Sequence, residues 1–105
     1  MFVILWEFEV KPGNENRFEK AYGPAGAWVQ LFQRHPHFRG TQLLQDPSRP
    51  QWYFTVDFWE SQASYREFLG RYRSDYQELD DSFRELALQQ RHIVSFVCQP
   101  ASPRS

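Results

Sequence analysis

Three tyrosines, Tyr65, Tyr72 and Tyr76, lie on a stretch of helical spacing in the second half of the chain, and Phe68 and Leu69 fill the same stripe. A buried phenol needs a hydrogen-bond partner. Several of them on one stripe point to a space that holds water or a polar ring ligand. Trp6 and Trp28, nearer the start of the chain, supply flat apolar surface of the kind that stacks on such a ring. Tyr72 and Tyr76 are therefore the candidate hydrogen-bonding or proton-transfer groups. Trp6, Trp28, Tyr65 and Phe68 are the candidate substrate wall. The same residues also suit an ordinary aromatic core, which is the simpler reading of any one of them.

Other chemistries are poorly represented. The chain has no G-x-S-x-G, no phosphate-cradling glycine loop, no H-E-x-x-H and no C-x-x-C. In His35-Pro36-His37 the proline holds the backbone extended, and two imidazoles without a third ligand read as a solvated loop after a helix. No metal site is expected. His92 opens the last apolar run and reads as a strand-edge residue. Arg66 and Arg73 are candidates for holding an anionic oxygen, although their helical positions point them to solvent.

The elements that must position these side chains follow from periodicity. Residues 2–10 (FVILWEFEV) read as a strand with Phe2, Ile4, Trp6, Phe8 and Val10 on one face and Val3, Leu5, Glu7 and Glu9 on the other. Asn14 is a plausible cap for a short helix carrying Phe18 and Tyr22 inward, interrupted at Gly23-Pro24. Pro24 suits the first position of a second helix bearing Trp28, Leu31 and Phe32, and Pro36 stops it. Residues 38–45 and 51–59 read as strands joined by the turn residues 46–50, hence as an antiparallel hairpin. Ser61 caps the next helix, and the capping-box pattern Ser74-x-x-Gln77 predicts a break there. Residues 91–98 form the last strand, and residues 99–105 a polar tail.

The order β-α-β-β-α-β predicts an α+β, ferredoxin-like domain over residues 1–98, with a four-stranded antiparallel sheet and both helical stretches on one side of it. Strand 51–59 does not alternate as a half-exposed strand should. Trp52, Phe54, Val56 and Phe58 share one face, while Tyr53, Thr55, Asp57 and Trp59 share the other. With Val3 and Leu5 also on a second face, the sheet carries more apolar surface than water normally meets. A homodimer packed sheet to sheet would cover it.

Composition narrows the rest. Of 105 residues, 18% are aromatic, enough large side chains for a real core in a short chain. A formal net charge of −1 with scattered arginines gives no field for nucleic acid or a membrane surface. No apolar run reaches the roughly 20 residues a membrane span needs. Met1 leads straight into a strand, without a secretory leader pattern, and Cys98 is alone. A reducing cytoplasm is the expected location.

The segments LWEFEVKPG, AWVQLFQR, FRGTQLLQD and YFTVDFWES, followed by an aromatic helix, resemble the antibiotic biosynthesis monooxygenase family over about residues 2–97. The resemblance implies the dimeric α+β barrel, with substrate held between sheet and helices. It also implies a choice of activities: cofactor-free oxygenation of phenols or quinols, haem degradation, or no known turnover. Haem-degrading relatives and some quinone-forming ones use an asparagine on the first strand, where this chain has Trp6. The haem-degrading type also carries a histidine late in the helix after W-E-S, where this chain has Tyr76 and Glu78. The expectation is a cofactor-independent monooxygenase of a small aromatic, quinol or polyketide-type phenol, without metal, flavin or haem. The alternative is a non-catalytic ligand-binding or structural dimer of the same fold.

Overall fold

The computed structural model describes residues 1–99; the tail expected at 99–105 lies, from residue 100 onward, outside the described residues. The elements run β1 (Phe2–Val10), α1 (Glu15–Tyr22), α2 (Ala27–Phe32), β2 (Phe38–Gln45), β3 (Trp52–Trp59), α3 (Gln62–Phe83) and β4 (Ala87–Val97), with a short 3-10 turn at Arg84–Leu86. The strands form one antiparallel sheet in the order β2-β3-β1-β4. This is the α+β ferredoxin-like arrangement expected from the element order. The two central strands come from the two most apolar runs, and β2 and β4 take the edges.

The helices cover one face. Phe2, Ile4, Phe8 and Val10 of β1 point to them, as do Tyr53 and Trp59 of β3, and all are buried. Phe18 and Tyr22 of α1 stack at 4.3 Å and lie against Phe8. Phe32 of α2 and Phe68 of α3 meet over Trp59, each with its ring centroid 5.0–5.6 Å from the indole. Aromatic burial on this scale is what lets a short chain hold a single core. The opposite face has no helix. There Val3, Leu5, Trp52, Phe54, Val56 and Phe58 lie side by side, with Phe96 and Leu44 of the edge strands about half exposed.

Several local expectations need correction. α2 starts at Ala27 rather than Pro24, because Gly26 is held extended by a hydrogen bond from its N–H to the Gly23 carbonyl. A side chain at Gly26 would collide with the carbonyls of Lys20 and Ala21, so glycine is required at that tight approach. Asn14 sits at the N-cap of α1 but makes no side-chain cap; Glu15 instead accepts from the Gly13 N–H. Ser61 does cap α3, accepting from the Ser64 N–H at 3.1 Å. The break in α3 falls at Tyr72 (φ −116°, ψ 27°), not at Ser74–Gln77. Gln77 spends its amide on Asp81 one turn on, so no capping box forms. β4 begins four residues earlier than residue 91, since the neutral Ala87–Gln90 stretch continues the ladder against Phe8, Glu9 and Val10. Pairing with a buried neighbour overrides weak strand propensity there.

Candidate functional site

Between the sheet and the helices lies a cavity with about 40 Å³ open to the centres of water molecules, enough for about three waters, and it is open on one side. Its floor is the inward face of the sheet: Trp6 and Phe8 from β1, Thr55 and Asp57 from β3, Thr41 from β2. Its walls are Tyr22, Trp28 and Phe32, and its roof is the second half of α3, through Tyr76 and Asp80. All four strands and all three α-helices contribute, α3 through its second half alone. The site therefore exists only in the completed fold.

Asp57 is the unusual member. Strand alternation places it between Ile4 on β1 and Thr41 on β2, with its side chain on the helix side. It is buried, and it accepts one hydrogen bond, from the Thr41 hydroxyl at 2.7 Å. Burial pushes its pKa up to about 6; the Thr41 bond opposes the rise and no cation contributes. A carboxylate in this setting is a far better base than a solvated one. Tyr76 and Tyr22 move the other way in usefulness. Burial, then Tyr65, Asp80, Asp57 and Tyr22, raises Tyr76 well above the ordinary phenol range. Burial pushes Tyr22 up to about 12. Both phenols therefore stay protonated at neutral pH and are able to donate a hydrogen bond, and Asp57 is the lining group best suited to take a proton.

The roof is tied down at Asp80, which pairs with Arg84 one turn further on and accepts from the Gln90 amide at 3.2 Å. That charge is compensated, unlike Asp57. The kink at Tyr72 separates this roof from the N-terminal half of α3, where Phe68 is packed without contact to solvent.

Of the candidates read from sequence, Trp6, Trp28 and Tyr76 line the cavity. Tyr65, Phe68 and Tyr72 do not. Phe68 lies in the Trp59 knot, Tyr65 packs between Phe2 and Trp59, and Tyr72 lies on Phe68 beneath Arg34. Asp57, Tyr22 and Asp80 were not among those candidates. A lone aspartate within an aromatic strand, on the same alternation as Tyr53 and Trp59, is the signal that marks Asp57. Arg66 and Arg73 are exposed. His35 is not in a solvated loop. It is buried against Trp59, with Nδ1 accepting from the His37 N–H at 3.1 Å and Nε2 3.6 Å from Glu67. His37 is exposed and bonds Glu60. His92, on the edge strand, packs edge-on to Trp6 at 5.6 Å. Among the described residues no group of three or more His, Cys, Asp or Glu could hold a metal ion, and no helix is long and apolar enough to cross a membrane.

With the sheet order and the cavity in place, comparison with known proteins settles the lineage. The family model for antibiotic biosynthesis monooxygenase matches residues 1–88. The chain belongs to this family. Its fold is that of SnoaB, a cofactor-independent oxygenase from Streptomyces nogalater, at TM-score 0.78 and 18% identity over 98% of this chain and 97% of that one. A provisionally named antibiotic biosynthesis monooxygenase from Deinococcus radiodurans superposes at TM-score 0.77 with 9% identity over 100% and 99%. MhuD, in a variant with two manganese protoporphyrin IX bound per active site, superposes at TM-score 0.70 with 20% identity over 99% and 100%. No curated protein matches the chain significantly by sequence. Membership in the monooxygenase family supports a monooxygenase-type function without naming a substrate.

Proposed function

We propose that the protein is a cofactor-independent monooxygenase of a small phenol or quinol-type ring, with Asp57 as its general base. The observation that carries this reading is a buried carboxylate, without a cation, on the floor of an aromatic cavity. Above about pH 6 Asp57 is ionised and takes the acidic proton of the ring. Tyr76 donates a hydrogen bond to the oxyanion that results, and Trp6 and Trp28 hold the ring plane. The electron-rich anion then reduces O₂. At an activated methylene carbon both hydrogens leave, one oxygen atom becomes the new carbonyl, and the other departs as water. The substrate itself supplies the four electrons, so no external reductant is needed.

The family resemblance and the likeness to SnoaB support this reading of the site. So does the lining: it is largely aromatic and contains no imidazole or thiolate to hold haem iron. The uncovered apolar face supports a homodimer packed through the sheets. The rival reading, a non-catalytic ligand-binding or structural dimer, draws on the small volume of the cavity. O₂ uptake with a panel of hydroquinones and anthrone-type phenols, without added metal or flavin, separates the two. The expected result is one O₂ consumed per product, lost in Asp57→Asn. A wild-type protein that binds these rings and consumes no O₂ is the rival.

A further inference from the structure

Two indole N–H groups are buried without a hydrogen-bond partner, those of Trp28 and Trp59. Trp59 lies in the packed knot of Phe32, Phe38 and Phe68, away from the cavity. Trp28 lines the cavity. Its ring is 7% exposed and is fixed by Tyr76 at 5.0 Å, Phe32 at 5.8 Å and Tyr22 at 5.9 Å, so the N–H cannot swing out to bulk water. Tyr22 is near enough for the indole to oppose the rise in its pKa, yet the two do not meet in hydrogen-bond geometry. A buried donor left unpaired is costly, and one carried by a residue that lines a ligand space is the kind a ligand acceptor satisfies.

The charge around that donor restricts the acceptor. The lining holds two carboxylates, Asp57 and Asp80, and no lysine, arginine or histidine. Asp80 is paired with Arg84, but Asp57 has no cation. A second anion brought beside Asp57 would be repelled where solvent cannot screen it.

We infer that the Trp28 indole N–H seats a neutral acceptor oxygen of the substrate, a ring carbonyl, and that the two carboxylates exclude anionic rings. Trp28 is thus a positioning and specificity residue as well as a wall. The inference rests on the cavity being the ligand site of the proposed function, and its test needs no turnover. A site built to bond one substrate group discriminates against the analogue that lacks it.

The probes are 4-hydroxyacetophenone, 4-ethylphenol and 4-hydroxybenzoate, with binding measured calorimetrically at pH 7, where both phenols are neutral and Asp57 is mostly ionised. Wild-type protein is expected to bind the ketone more tightly than the ethylphenol, and the benzoate most weakly. Trp28→Phe keeps an aromatic face, though a smaller one, and removes the donor. It should weaken the ketone about 2- to 12-fold more than it weakens the ethylphenol. Asp57→Asn should restore binding of the benzoate. In the wild-type protein, the Trp28 indole proton should shift downfield on adding the ketone and not on adding the ethylphenol; this readout stands even if the variant folds poorly. Equal losses for both neutral probes, or an indole resonance blind to the ketone, would overturn the inference. Failure of all three probes to bind would remove the ligand site itself. Selective binding without O₂ uptake would leave the inference standing and sink the oxygenase reading.

Discussion

The two faces of β3 are inverted relative to an ordinary half-buried strand. The face under the helices carries Tyr53, Thr55, Asp57 and Trp59, while the open face carries Trp52, Phe54, Val56 and Phe58. A strand selected only for a stable monomer would turn the second set inward. The polar groups inside have work there: Tyr53 donates to Glu19 at 2.6 Å, Thr55 lines the cavity floor and Asp57 is its proposed base. The apolar groups outside make a flat surface suited to a second copy of the chain. The same strand thus carries the proposed site on one side and the proposed assembly face on the other, and each side can be broken without touching its neighbour.

The largest effect is expected on the open face. Leu5→Asp puts an unpaired carboxylate into the proposed interface, next to Val56 and Val94. Light scattering on the wild type should give about twice the 12.6 kDa chain mass, and the variant should dissociate or unfold. A variant that stays a normal dimer would show that this face is not the contact.

On the inner face, Asp57→Asn keeps an acceptor for Thr41 and removes the base. Turnover should fall by about 10²–10⁴, with the secondary structure intact by circular dichroism. The same variant reports on stability. Asp57 binds its proton more tightly in the folded protein than in the unfolded chain, where it has the ordinary aspartate value of 3.8. The folded state therefore loses stability as pH rises from about 4 through about 6, by about 3 kcal/mol in all. Relative to wild type, Asp57→Asn should be more resistant to urea at pH 8 and no more resistant at pH 4. An identical difference at both values would mean that the carboxylate is not buried as described.

Tyrosine hydroxyls should show the smallest differences. Tyr76→Phe removes a donor from the cavity and should cost about 0.5–1.5 kcal/mol of ligand binding. Tyr72→Phe and Tyr65→Phe lie outside the lining and should move the melting temperature alone. Equal losses of affinity from all three would place the ligand along the whole helix rather than under its second half.

These tests also mark what the residues revealed before folding. Element order, the unpaired apolar face and three cavity residues were legible, because strand alternation and helical spacing are local. The direction of β3 was not, since both of its faces carry large aromatic groups and alternation alone cannot say which turns inward. Asp57 was lost with it. The stripe of Tyr65, Tyr72 and Tyr76 assumed a straight helix, and the kink at Tyr72 gives the two halves of α3 different surroundings. His35 was read from its neighbour Pro36 as a loop residue; Trp59, far away in sequence, is what buries it.

The central claim is that burial without a compensating cation keeps Asp57 protonated to unusually high pH and so makes it a base fit for phenolic protons. A carboxyl-carbon NMR titration of Asp57, assigned with Asp57→Asn, measures this directly in the wild-type protein without any substrate. The expected midpoint is about 6. A midpoint near 4, the value of a solvated aspartate, would contradict it.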